Sequence, residues 1–136
     1  MITEIRFETT ESGPLRPNEE RVHDVRITRD GQIVHVILST KEEAGRGMRH
    51  TRDEYQIAPG TAAAFLDSLT ADFGIGEWPT DFGSPVLEGR TYEIAIRHDD
   101  GTVRRSRGTV DLPPDGEALR NAVIGLAAFK RKPWIF

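Results

Sequence analysis

The sequence of 136 residues contains no cysteine, no long apolar run and no large excess of either charge. Without cysteine it can form neither disulfides nor thiolate metal sites, which fits a reducing cytoplasm. The longest apolar stretch, residues 122–129, is too short to cross a bilayer. The first residues also lack the basic and then apolar pattern of a signal peptide. We therefore expect a soluble cytoplasmic protein that does not bind membranes.

Charge and length limit the class of protein further. Lysine and arginine number 18 and aspartate and glutamate 22, and both signs are spread along the chain. No basic tail or arm is present, so nucleic acid is not the expected partner. Hydrophobic residues make up 37% of the chain, enough for a core. The length suits a single domain spanning residues 1–136.

Alternating apolar and polar residues predict strands in both halves of the chain. The clearest pattern is residues 21–40, where two β-rich runs flank Asp30 and Gly31, a pair that tolerates the positive φ angles of a hairpin turn. A second hairpin is predicted around Asp100 and Gly101. The remaining predicted strands are residues 3–10, 49–57, 90–98 and 102–110.

Two segments have apolar residues at helical spacing, with Thr61 and Asp115 as the expected caps. Residues 75–89, after the first helix, are predicted to be irregular. The element order is ββββαββα. It predicts an α+β two-layer sandwich with a mainly antiparallel sheet of about six strands and both helices on one face. The two apolar stripes are Ala62, Phe65, Leu66, Leu69 and Phe73, and Leu119, Ala122, Val123, Leu126 and Phe129.

The last two thirds of the chain resemble small bacterial α+β domains of uncharacterised function. These domains share a glycine before an aromatic strand, a D-G hairpin, a second glycine, a proline and an amphipathic helix. The resemblance implies a fold and no catalytic residues. The matching positions are Trp78, Gly89, Tyr92, Asp100–Gly101, Gly108, Pro113–Pro114 and the helix from Asp115.

Arginines cluster at the second hairpin, in the stretch RHDDGTVRRS. Arg105 and Arg107 share a strand face, and Arg97 on the preceding strand lies near them or near Arg104. Such a strip could bind phosphate or an acidic protein surface, because guanidinium groups bind both bidentately. The alternative is a solvated outer face whose arginines are balanced by acids.

Large aromatic residues supply the other candidate contacts. Trp78 and Phe82 lie in the predicted loop, and they either anchor a partner or fold back onto the core. The sequence ends in Trp134, Ile135 and Phe136, which are costly to expose in water. They are expected to dock on this domain, on a second copy to form a homodimer, or on another protein.

No chemical signature accompanies these features. The four histidines have no metal-ligand spacing, and counting from the turn does not place His23 opposite His35. No cofactor is expected. The residue pattern favours a non-enzymatic domain that binds another protein, such as an immunity-type or regulatory protein. The alternatives are a small-molecule or peptide-binding domain, and a metal-dependent hydrolase that uses His23, His35 or His98 with a carboxylate.

Overall fold

The computed structural model describes residues 1–14, 16–41, 47–82, 89–109 and 112–136. Its elements are β1 (Ile2–Ser12), β2 (Glu20–Thr28), β3 (Gln32–Thr40), β4 (Met48–Gln56), α1 (Pro59–Ala71), β5 (Asp81–Phe82), β6 (Gly89–His98), β7 (Val103–Gly108) and α2 (Gly116–Ile124). The strands form one sheet in the spatial order β4-β3-β2-β1-β6-β7-β5. Neighbouring strands are antiparallel except β5 and β7, which are parallel. The predicted α+β class and mainly antiparallel sheet are confirmed.

The sheet has seven strands where the sequence predicted about six. The additional strand, β5, lies inside the segment that was predicted to be irregular, and its two residues pair with Arg107 and Gly108 of β7. Two residues are too few to show an alternating pattern, so periodicity could not reveal this strand.

Both predicted hairpin turns are present, at Gly31 and at Gly101, with φ angles of 94° and 87°. Gly31 is needed for a second reason, because a Cβ atom there would lie 2.1 Å from the carbonyl oxygen of Ile57. The turn therefore requires glycine both for its backbone angle and for the close approach of the chain that follows β4.

One face of the sheet, called here the inner face, carries the core. Ile5 and Phe7 of β1 are fully buried on it, and they form one hydrophobic cluster with Leu66 of α1 and Leu119 of α2. The side chains between them, such as Arg6, point to the opposite face, called here the outer face. In the described residues, both helices thus cover the inner face, as predicted.

The helix boundaries differ from those that the sequence suggested. Helix α1 begins at Pro59, and Ala58 occupies the N-cap position without a side-chain hydrogen bond, so Thr61 lies inside the helix. Asp115 precedes α2 with a φ of 57° and makes no capping bond. No helix among the described residues is long and apolar enough to cross a membrane.

Candidate functional site

The candidate arginines divide between the two faces of the sheet. Arg105 pairs with Ala95 and Arg107 with Glu93, so both project from the outer face. Arg97 pairs with Val103 and belongs to the same face. Arg104 lies between them in sequence and projects from the inner face. The strip that the sequence suggested therefore has three members rather than four.

Each of these three arginines has an acidic neighbour. Arg105 contacts Glu93 at 2.9 Å, and Arg107 contacts Asp81 at 3.3 Å. Arg97 lies 3.7 Å from Glu4 of β1. The outer face is therefore covered with ion pairs, in agreement with the alternative interpretation of a balanced surface.

The cations nevertheless project further into solvent than the acids do. The side chain of Arg97 is 58% exposed, whereas that of Glu4 is 22% exposed. Arg105 is 61% exposed against 47% for Glu93. An approaching molecule meets guanidinium groups before it meets carboxylates.

Four arginines converge on one point of the outer face. Arg6, Arg26, Arg97 and Arg105 line a shallow depression of about 60 Å³ together with Glu4. Arg26 and Arg97 lie 3.6 and 3.7 Å from Glu4, whereas Arg6 pairs with Asp24 and Glu8. This site is called here the arginine depression.

Aliphatic side chains continue the outer face across the other half of the sheet. They come from β2 and β3, are half-buried, and lie beside one another because Val22 pairs with Leu38. This aliphatic stripe lies beside Arg26, which pairs with Val34. Its members are Val22, Val34, Val36 and Leu38.

Arg104 has an internal role instead. Its Nη1 and Nη2 donate hydrogen bonds to the backbone carbonyls of Gly76 and Trp78. These bonds hold the short 3-10 turn Ile75–Glu77 against the sheet. Its guanidinium is therefore committed to the fold.

The aromatic residues of the predicted loop are buried. Trp78 is 3% exposed and Phe82 9%, with their rings edge to face at 5.7 Å. The indole of Trp78 donates to the carbonyl of Phe73 at 3.1 Å. These two side chains fold back onto the core, and residues 83–88 of the predicted loop lie outside the described residues.

Residues 130–136, called here the tail segment, dock on the inner face of their own chain. Ile135 is 1% exposed and Phe136 5%. The ring of Phe136 packs edge to face with those of Phe7 and Tyr92, at 6.2 and 5.0 Å. Trp134 is half-buried, and its carbonyl accepts a hydrogen bond from Thr9.

The tail segment covers a pair of buried histidines. Nδ1 of His23 lies 2.9 Å from Nε2 of His35, and Nε2 of His23 lies 2.9 Å from a carboxylate oxygen of Glu20. The backbone N–H of Trp134 donates to Nδ1 of His23 at 3.2 Å. The Trp134 ring stacks on the His23 ring at 4.2 Å.

These contacts favour one arrangement of protons on the two rings. Nδ1 of His23 accepts from a backbone N–H, so it carries no proton, and His23 must donate through Nε2 to Glu20. His35 must then donate through Nε2 to the same Nδ1. Nδ1 of His35 remains as a buried acceptor with no hydrogen-bond partner among the residues that the structure describes. The neutral forms of both imidazoles therefore suit this arrangement.

Burial has the same effect on both histidines, because it removes water from the charged form. It lowers the pKa of His23, and the neighbouring Glu20 opposes that change. It lowers the pKa of His35 to about 4, with the charge of His23 as the next cause and Asp53 acting in the opposite direction.

The sequence contained a signal for this pair. His23 stands opposite Ile37, and His35 opposite Val25, so direct counting correctly kept the histidines apart. They are diagonal neighbours on one face, however, and long or aromatic side chains reach across a diagonal. Among the described residues, no group of three or more histidine or acidic side chains is arranged to hold a metal ion.

A cationic cleft lies beside the tail segment. It has a volume of about 320 Å³, and its cations are Arg90 of β6, Arg120 of α2 and Lys132. The Arg90 guanidinium lies 4.1 Å from the centre of the Trp134 ring, and that of Arg120 lies 5.9 Å from the Phe136 ring. No aspartate or glutamate side chain is among the described residues that line this cleft.

No protein-family model matches the chain, and a search of curated proteins found no matching sequence.

Proposed function

We propose that this domain is a non-enzymatic protein-binding module whose outer face binds an acidic patch on another protein. An immunity-type or other regulatory protein would work in this way. The observation that carries the proposal is the arginine depression, which four arginines and one glutamate line on the sheet face away from the helices.

The chemistry of the depression favours a carboxylate from a partner. A guanidinium group forms paired, directional hydrogen bonds to a carboxylate, and arginine is enriched at protein interfaces. The existing ion pairs hold the arginines in place, so little side-chain entropy remains to be lost on binding. The neighbouring aliphatic stripe supplies apolar area beside this charged centre.

The test is binding by a charge-reversed variant. The double variant Arg97→Glu/Arg105→Glu reverses the charge of two of the arginines that line the depression. It is compared with Arg16→Glu/Arg131→Glu, which changes net charge equally at exposed positions outside the depression. A partner captured from cell extract and then purified is titrated against all three proteins by calorimetry.

We expect the first variant to lose at least about 30-fold in affinity, since an interface hot spot is worth about 2 kcal/mol. The control variant should stay within about threefold of the parent. Equal losses in both variants would indicate general charge attraction. Unchanged binding in both would place the interface elsewhere, and either result would reject the proposal.

The cationic cleft supports a second candidate, a site for a small oxyanion such as a phosphate monoester. Arg90 and Arg120 lie against aromatic rings, which leaves the N–H edges of their guanidinium groups available to an anion. Arg90 is already paired with Glu11 at 3.1 Å, so Arg120 and Lys132, for which the described part of the chain shows no ion pair, supply the charge for an anion.

Inorganic phosphate tests this site. Phosphate should change the fluorescence of Trp134 to saturation, whereas acetate at equal ionic strength should not. Arg120→Gln should weaken phosphate binding about tenfold, because one charge-assisted contact is lost. Arg131→Gln, which removes a neighbouring charge that does not line the cleft, should leave binding unchanged. Equal responses to phosphate and acetate would contradict a specific site.

A further inference from the structure

We propose that acid releases the tail segment from the inner face. Protonation of His23 detaches Trp134, Ile135 and Phe136 while the sheet remains folded. The geometry that points to this is the convergence of two N–H donors on one unprotonated ring nitrogen. Nδ1 of His23 accepts from the backbone of Trp134 at 3.2 Å and from His35 at 2.9 Å.

Protonation of His23 reverses the role of this nitrogen. A proton on Nδ1 makes it a donor; His35 can accept from it by carrying its own proton on Nδ1, but the Trp134 N–H then faces another N–H. The Trp134 N–H then needs another acceptor, and the buried imidazolium gains from contact with water, from which the tail segment separates it. The Trp134 backbone is the partner that can withdraw, since His35 is fixed within the ladders of β3.

Protonation of His35 does not have this effect. Its free nitrogen is Nδ1, which has no hydrogen-bond partner in the neutral state, so a proton there breaks no existing bond. His35 would still donate through Nε2 to His23. We therefore assign the release to protonation of His23. His35 is a second buried base next to His23.

The charged groups around the pair come from four elements. Glu20 of β2 bonds to His23 and favours its charged form, while Arg90 of β6 and Arg131 of the tail segment oppose it. Asp53 of β4 faces His35 and lies 3.8 Å from Lys130. The fourth element, the tail segment, carries Arg131 and Lys130 away on release, which further favours the protonated state.

The number of protons taken up on release determines how strongly release of the tail segment depends on pH. If the released state binds one more proton than the docked state, the ratio of released to docked molecules rises about tenfold for each pH unit. The burial of Ile135 and Phe136 and the stacking of Trp134 stabilise the docked state and so oppose release. Release should therefore be complete only in mildly acidic solution, well below the ordinary histidine pKa of about 6.5.

The sheet does not depend on the tail segment for its backbone hydrogen bonds. His23 and His35 lie on strands β2 and β3, and the ladders of both strands are made with other strands. Once the tail segment is released, both imidazoles reach water and their charge is solvated. The two events, release and unfolding, can thus be observed separately.

The test is an NMR titration of the isotopically labelled full chain from about pH 7.5 to about pH 4.5, a range that contains the ordinary histidine pKa. We expect the backbone amides of Trp134, Ile135 and Phe136 to become mobile while those of Phe7 and Ile94 stay protected. The ring ¹⁵N shifts of His23 should show proton uptake with the same midpoint. The exchange must reverse when the pH is raised.

A variant isolates the nitrogen responsible. In His23→Asn the side-chain oxygen takes the place of Nδ1, accepts from Trp134 and cannot be protonated, so the tail segment should stay ordered at low pH. His50→Asn removes an exposed histidine on β4 and should release as the parent does.

Three results would overturn the proposal. They are loss of tail and sheet amides at one midpoint, an ordered tail segment beside a protonated His23, and release in His23→Asn at the parental pH. If His23→Asn does not fold, the parent titration decides, because release and His23 protonation must share a midpoint.

Discussion

As long as the tail segment stays docked, acidification from about pH 7 to about pH 4 should lower the free energy of unfolding by about 3 kcal/mol through His35, and release of the tail segment limits this loss. The pKa of His35 is lowered from 6.5 to about 4, mainly by burial. That difference, at about 1.4 kcal/mol per pH unit, sets the size of the effect. His23 adds to it in the same direction.

The direction follows from which state binds the proton more tightly. The unfolded chain protonates these histidines near 6.5, whereas the folded protein resists protonation until the pH falls much lower. Their contribution is therefore complete above about pH 6.5 and is lost as the pH falls toward about 4. The pKa values of the carboxyl groups of Asp30, Asp67 and Asp100 are lowered from 3.8, so their effect belongs to more acidic solution.

Urea unfolding at several pH values measures this loss. The variant His35→Gln keeps a donor near the position of Nε2 and does not titrate, so its stability should change less with pH than that of the parent. His50→Gln removes an exposed histidine and should follow the parent curve. A parent whose stability does not change between about pH 6.5 and about pH 4 would contradict the burial of both imidazoles as neutral bases.

Arg104→Ala should lower the free energy of unfolding by about 2–3 kcal/mol, because hydrogen bonds from a charged group are each worth about 1.5–3 kcal/mol and these are partly exposed. The substitution leaves the carbonyls of Gly76 and Trp78 without their donor. The 3-10 turn that carries the buried Trp78 ring should loosen with them.

Arg105→Ala is the matched control for Arg104→Ala. Arg105 is the next residue, is 61% exposed and contacts a glutamate on the outer face, so its loss should cost at most about 0.5 kcal/mol. Chemical denaturation of both variants and the parent gives the comparison. Equal costs would show that Arg104 does not hold the turn. The comparison of these two variants also explains why the test of partner binding reverses the charges of Arg97 and Arg105 and leaves Arg104 unchanged.

Periodicity in the sequence predicted most of the fold because burial on one face imposes it. Ile5 and Phe7 alternate with charged residues, and Leu66 and Leu69 follow helical spacing. The two-residue strand Asp81–Phe82 escaped prediction because it is set by pairing with β7 and has no pattern of its own.

The candidate site was harder to predict, because each part depends on three-dimensional neighbours. Alternation along the strand places Arg104 and Arg105 on opposite faces of the sheet. Nothing in the sequence indicates, however, that Arg104 donates hydrogen bonds to carbonyls of a distant turn. Trp78 could equally have been a contact residue until its burial was known. The His23–His35 contact crosses a diagonal of the hairpin, and its cover comes from Trp134, more than a hundred positions away.

The position of β1 in the sheet has a consequence for the order of folding. Ile5 pairs on one side with Ile27 of the next strand and on the other with Ile96 of β6. Strands β1 to β4 are consecutive neighbours and can form a meander by closing short loops, whereas β6 must be brought in over most of the chain. During synthesis at about 5–20 residues per second, β1 therefore spends several seconds as an open sheet edge whose inner face is apolar. A ribosome-bound chain at that stage offers a template for strand pairing, and rapid arrival of β6 protects the nascent protein from aggregation.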